Sequence, residues 1–224
     1  MEQKTIIANR NLLLSACFLF TVVIILSLNF PHRYSLGDLL LQKLHIPTQF
    51  AGGFFTMGMI LLLLLITAFI CLFHSLTKWR IRIIVLTILL ISLLPPSIIT
   101  AYQTLFGKGI YAVQYDEAES SCAYEMVHTN EATLSGTCYL PFTNVSDELV
   151  TFEVHFQETY TDDVPMVSLM NVEAPYTVRL QPYETKEVMI HTLIDVTELD
   201  EYVVSGEAYS IQIEIQANGK SREL

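Results

Sequence analysis

Residues 83–102 read IIVLTILLISLLPPSIITAY, an apolar run that follows the basic cluster Lys78, Arg80 and Arg82 and leads within a few residues into acidic, strand-patterned chain. At ~1.5 Å rise per residue, about twenty helical residues span the ~30 Å hydrocarbon core of a bilayer. The run therefore predicts a membrane helix. Because it separates a basic hydrophobic part from an acidic polar part, it also decides on which side of the membrane the polar part works.

Two similar stretches precede it. Residues 11–29 are apolar apart from hydroxyls, Cys17 and the end residues, and follow Lys4 and Arg10. A signal peptide would look alike, but Ser27-Leu28-Asn29-Phe30 is a poor small-x-small cleavage site and further spans follow, so a retained helix is expected. Residues 54–73 form the second span, built around Leu61 to Leu65 and closed by His74. The expected organisation is a tail 1–10, a three-helix anchor 11–104 with a loop 30–53, and a folded domain 105–224.

Charge divides at the same place. Residues 1–104 hold seven Lys and Arg against two acids, +5; residues 105–224 hold five against twenty-one, −16. So negative a surface repels nucleic acid and anionic headgroups alike, which excludes both as partners of the C-terminal domain. Orientation follows from cations in short loops. Lys4, Arg10, Lys78, Arg80 and Arg82 share one face, against Arg33, Lys43 and Lys108 on the other. That places the N-terminus in the cytoplasm of a multi-pass membrane protein and residues 105–224 outside the cell.

Within the anchor, Ser35-Leu36-Gly37-Asp38 reads as a capping box, and Leu36, Leu39, Leu40 and Leu44 form a stripe before Pro47 stops the helix. A short amphipathic helix on the outer interface is expected, as a plain anchor or as a platform for the outer domain or a partner. Pro95-Pro96 should kink the third helix in its outer half. No ionised side chain lies inside a span, which argues against transport by this chain alone. Gly52, Gly53 and Gly58 lack GxxxG spacing. Gly107-Lys108-Gly109 reads as a flexible stem.

Beyond it the hydrophobic period becomes two, the signal of half-buried strands. Leu134, Gly136, Cys138, Leu140 and Phe142 alternate with polar positions; Asn144 to Asp147 supply a turn; Val150, Phe152, Val154 and Phe156 follow. Tyr176, Val178 and Leu180 repeat the pattern, then a turn at Pro182-Tyr183-Glu184, then Val188, Ile190 and Ile194, and a last strand with Tyr209, Ile211, Ile213 and Ile215. Residues 110–115 and 122–128 read as two more. Seven or so short strands, each with one apolar face, predict an antiparallel β-sandwich. The hairpin from Cys138 to Asn144 into Val150–Phe156, and the pair Val178–Pro182 with Lys186–Ile194, resemble an immunoglobulin-like or fibronectin-type-III-like module. The domain departs from antibody-type domains in having no Trp.

Cys122 and Cys138 are the cysteines outside the spans, and an even pair in an oxidising compartment predicts a disulfide inside the core. A redox-active pair is the alternative, without C-x-x-C spacing to support it. Cys17 and Cys71 read as packing residues. His155 and His191 take the outward phase of strands that also expose Glu153 and Glu187; adjacent strands would make a His/Glu metal cluster, isolated ones a solvated surface. His128 is the third histidine of the domain. Asp162-Asp163 and Glu198-Leu199-Asp200-Glu201 lack calcium-loop spacing. Asn144-Val145-Ser146 is a glycosylation sequon at an exposed turn, relevant only in a eukaryotic secretory pathway. With no G-x-S-x-G, phosphate loop or HExxH, no enzyme activity, metal or cofactor is expected.

The expected function is a non-enzymatic, membrane-anchored protein of a bacterial envelope whose extracellular immunoglobulin-like domain binds or senses an extracellular or membrane protein. An accessory or regulatory subunit of a transport, secretion or signalling complex is the alternative. An envelope enzyme comes third. Beyond the lipid bilayer itself, the residues name no partner.

Overall fold

A computed structural model describes residues 7–31, 33–47, 55–127, 133–158, 166–197, 199, 202 and 204–224. The chain divides into two compact units, Met1–Ala101 and Tyr102–Leu224.

The first unit is helical. α1 (Arg10–Ser27) starts where the Asn9 side chain accepts from the backbone N–H of Asn11 at 3.0 Å and of Leu12 at 3.3 Å, satisfying donors that a helix start leaves open. α3 (Thr56–Ser75) packs along it, with Ala16, Phe20, Ala68, Leu72 and Leu76 buried at the contact. Ala16 and Ala68 let the backbones approach, and the Phe20 and Phe69 rings meet edge to face with centroids 5.1 Å apart. α4 (Arg80–Phe106) follows Trp79, whose φ of 62° turns the chain. These three helices are long and apolar enough to cross a membrane. α4 extends past the expected end at 102 because Leu105 and Phe106 prolong its apolar run, and it continues through Pro95 and Pro96.

α2 (Leu36–Lys43) is capped as expected: the Asp38 N–H donates to Ser35 Oγ, and Ser35 Oγ donates back to Asp38 Oδ2 at 2.6 Å. Its end differs from expectation. It stops at Leu44 and His45, whose φ of 56° leaves the helical region before Pro47 is reached. It buries Gly37 and Leu41 rather than the Leu36, Leu40 and Leu44 stripe. At Gly37 a Cβ would lie 2.2 Å from Met57 Cε, so a larger residue there would require the Met57 side chain to shift.

The second unit holds two antiparallel sheets. β1 (Val113–Tyr115), β2 (Ser121–Met126), β3 (Thr133–Asn144), β6 (Thr185–Asp195) and β7 (Ser205–Tyr209) form one; β5 (Tyr176–Leu180), β4 (Val150–Gln157), β8 (Gln212–Ala217) and β9 (Lys220–Glu223) form the other, in that order. β3 is central, with β6 along one edge and β1 and β2 sharing the other. The inward residues read from the alternation, Leu134, Cys138, Leu140, Phe142, Val150, Phe152, Val154, Phe156, Val178, Leu180, Ile190 and Ile194, are buried in one core fed by both sheets. Phe142 of β3 and Phe152 of β4 meet edge to face at 5.2 Å. Met170, from a 3-10 turn over Ser168–Glu173, plugs the core at Gly136, where a Cβ would sit 2.5 Å from its sulfur.

Three sequence expectations are corrected here. Residues 110–112 form a 3-10 turn, so the first strand is only β1. The expected last strand is two: β7 pairs with β2 and β8 with β4, so the chain changes sheet at Ser210-Ile211. Ser210 has φ 56°, and the freed backbone groups are met by neighbours: Ile211 N donates to Ser120 Oγ at 2.8 Å, and Tyr115 OH donates to the Ile211 carbonyl at 2.7 Å. Tyr209 thereby points outward while Ile211 is buried. Finally, the stem at residues 107–109 is tied down. The Gly107 N–H donates to the Gln103 carbonyl at 2.8 Å. Buried Gln103 donates to the Tyr111 carbonyl at 3.2 Å and accepts from Gln114 Nε2 at 3.0 Å. Beside it, buried Arg222 of β9 donates to the Ile110 and Val113 carbonyls at 3.1 and 2.7 Å.

Candidate interaction surface

On the outer face of the five-stranded sheet, strand register brings residues from four strands into one row: Tyr209 of β7, Ser121 of β2, Tyr139 of β3 and Met189 of β6. The next rows run Glu207, Ala123, Thr137, His191 and Ser205, Glu125, Ser135, Leu193. Side chains two residues apart on a strand share a face, so this surface follows from the same alternation that fills the core. Tyr209 is 67 % exposed, Met189 62 %, Leu193 52 % and Tyr139 39 %.

Tyr and Met exposed together across a sheet face supply large, adaptable contact area, the composition of interface centres. Glu125, Glu187 and Glu207 border the stripe. The Tyr209 hydroxyl donates to Glu207 Oε2, and that carboxylate holds the Tyr209 phenol above its ordinary pKa. Directly beneath, Cys122 and Cys138 face each other across β2 and β3 and are disulfide-bonded, both buried. The bond ties together the two strands that carry Ser121 and Tyr139.

Ser135 Oγ lies 3.2 Å from His191 Nε2 on this face. A hydroxyl against an imidazole is half of a nucleophilic pair. Both groups sit on an open sheet surface where nothing excludes water, so the contact serves as a diagonal cross-strand bond. His155 belongs to β4 in the other sheet, opposite Glu214, so His155 and His191 do not meet and the conditional metal cluster with Glu153 and Glu187 does not form. Among the described residues no group of three or more His, Cys, Asp and Glu is placed to hold a metal. His128, Asp162, Asp163, Glu198, Asp200 and Glu201 lie outside the described residues.

The other sheet carries a polar notch of about 590 Å³, lined by Thr151, Glu153, Thr177, Gln216, Asn218 and Lys220 among others. It forms because β4 pairs with β8 only from Glu153 onward. The chain then leaves the sheet at Asn218 and Gly219, with φ of 52° and 72°, to start β9. One carboxylate and one ammonium at an open notch do not converge on a reacting atom.

Asn144 is not the exposed acceptor that its sequon suggests. It is fully buried, and its Nδ2 donates to the Glu148 carbonyl at 2.8 Å and the Gln181 carbonyl at 2.9 Å. Its Oδ1 accepts from Ser146 N and Oγ. A glycan would have to replace a donated hydrogen and occupy core volume, so in this fold Asn144 is structural. A sequon cannot show whether a neighbouring turn closes over its asparagine.

Of the cationic cluster, Arg80 Nε donates to the Leu76 carbonyl at 2.7 Å and its guanidinium lies 4.7 Å from the centre of the Phe73 ring. Arg82 lies 5.0 Å from that of Trp79. Lys78 precedes them between α3 and α4. The outer row itself went unread in the sequence, where Tyr139, Met189 and Leu193 are merely the outward positions of their strands. No protein family, curated protein or solved structure matches the chain.

Proposed function

We propose that this chain is a membrane protein with three spans, a cytoplasmic N-terminus and an extracellular immunoglobulin-like module, and that it works by binding another protein rather than by catalysis. The strand order supports the immunoglobulin-like reading: one sheet runs β5-β4-β8-β9, and the other is built on β2-β3-β6. With β1 and β7 set aside, the remaining seven strands divide three and four between two antiparallel sheets, a division in keeping with a Greek-key sandwich of that kind. The clustering of Lys78 in the α3–α4 connection with Arg80 and Arg82 in the first turn of α4 supports the orientation.

The observation that carries the binding function is the exposed row Tyr209, Tyr139, Met189 with Leu193 beside it. Surface chemistry of this kind, braced from beneath by a disulfide, suits a rigid recognition face. The accessory-subunit reading has its own support. α1 and α3 cover each other, whereas nothing in the apolar window of α4 is buried, which leaves a long apolar helix surface for a membrane partner.

One experiment separates the two. Full-length protein is purified in mild detergent from its native membrane, and co-purifying proteins are counted by mass spectrometry. Loss of a stoichiometric partner in Met189→Asp and Tyr209→Ala supports recognition by the outer face. Loss only when Leu89 and Leu93 on α4 are changed to Ala supports the accessory reading, and no partner in either form overturns both. Topology is tested with a membrane-impermeant thiol reagent on intact cells. An engineered cysteine at Gly219 should be labelled and one at Thr77 protected; the reverse pattern overturns the orientation.

A further inference from the structure

The stripe that α2 leaves uncovered lines a groove of about 830 Å³ against the end of α1. Ile25 and Leu26 of α1 face Leu36, Leu39 and Leu40 of α2, and Gln42, Lys43 and His45 close it. The two helices are pinned there, since the Leu36 N–H donates to the Leu28 carbonyl at 2.8 Å. Gly37 and Leu41 are the buried residues of α2, whereas of the leucines that line the groove Leu36 and Leu39 are half-buried and Leu40 is 51 % exposed.

The groove is two-ended. Its apolar residues come from the end of α1 and the body of α2, whereas its polar residues are gathered within four positions at the C-terminal end of α2. Asp38, the carboxylate of α2, is tied to Ser35 at the other end of the helix and does not line the groove. An apolar trough ending at an ammonium matches a molecule with a hydrocarbon tail and an anionic head, and the volume lies in the range of small-molecule sites. The −16 charge belongs to the β unit; the loop 30–53 that carries the groove holds Arg33 and Lys43 against Asp38.

We propose that this groove is a phospholipid site, seating one acyl chain of an anionic phospholipid against Leu36, Leu39 and Leu40, with the headgroup phosphate at Lys43. The proposal rests on the reading that α1, α3 and α4 cross a membrane. Lysine aliphatic carbons extend the apolar wall while the ammonium meets the phosphate, and a cation near an anionic headgroup contributes about 1 kcal/mol, roughly a fivefold preference.

The test uses the full chain in nanodiscs of equal parts palmitoyl-oleoyl phosphatidylglycerol and phosphatidylcholine, released into the mass spectrometer. Wild type should retain one phosphatidylglycerol, with a glycerol-to-choline lipid ratio about fivefold above that of Lys43→Gln. Leu40→Trp, at a half-exposed position where a larger side chain fills the trough rather than the core, should lose the retained lipid. Equal retention of both lipids by wild type, or retention unchanged by both variants, overturns the site. Chain that enters the nanodisc yet keeps no lipid sinks the site alone, whereas chain that fails to enter sinks the membrane reading with it.

Discussion

The Asn144 side chain donates to the main-chain carbonyl of Gln181, 2.9 Å away and 37 residues further along the sequence. With the Asn144 N–H donating to the Glu184 carbonyl and the Tyr183 N–H to the Ser146 carbonyl, it joins the β3–β4 turn to the β5–β6 turn. Asn144→Ala removes a donor from the Glu148 and Gln181 carbonyls, each of which keeps a longer bond, from Ser146 Oγ at 3.3 Å and from the Glu184 N–H at 3.2 Å, so the loss is that of two hydrogen bonds at about 1 kcal/mol each. Thermal melts of the full chain should show a loss of about 1–2 kcal/mol, and Asn144→Asp should also be destabilised because a carboxylate cannot donate to either carbonyl.

Tyr124 has its hydroxyl buried, with no hydrogen-bond partner among the described residues. Burial, and then the Glu158 carboxylate, push its phenol well above the ordinary value of 10.0. The folded state therefore keeps this proton after the unfolded chain has released it. The associated stability is complete below pH 10 and is lost as pH rises beyond it. Tyr124→Phe should match or exceed wild type at neutral pH, by up to about 1 kcal/mol. It should also lose less stability between pH 9 and 11, as denaturant titrations at each pH would show.

Arg222 is a charged group in a dry place. Burial pulls its pKa down to about 10, with Tyr111 opposing the shift, and its Nη1 holds the Val113 and Ile110 carbonyls. Arg222→Ala leaves those carbonyls short of a donor and should cost about 1–3 kcal/mol. Lysine should rescue only part of this, because a single ammonium does not reproduce a planar guanidinium fork. Gln103→Ala removes the companion donor, and the double variant should show coupling rather than simple addition, since both side chains bond the Val113 carbonyl.

The Cys122–Cys138 bond closes a loop of 16 residues. Cys122→Ser should lower stability by about 3 kcal/mol. Wild type treated with reductant should fall to the same midpoint, and an unchanged midpoint under both treatments would refute the contribution.

The residues that alternate strictly told their own story. β3 and β4 run with the inward phase expected of Leu134 to Phe142 and Val150 to Phe156, because period two is imposed by burial on one face. The same period misreads Tyr209 to Ile215, since alternation records which way a side chain points and not which sheet receives it. β9 carries only buried Arg222 as its inward residue, an inversion of the apolar rule that pattern reading passes over. The outer row was invisible because its members are far apart in sequence and become neighbours only through register.

The crossing of the chain from β7 to β8 at Ser210-Ile211 makes residues 205–217 a shared member of both layers. Neither layer can peel away while that member stays in place. Opening should then be all-or-none, with amides of β2 and β4 exchanging in concert although they lie in different sheets. A module held shut in this way can bear tension applied at one edge without unravelling from it.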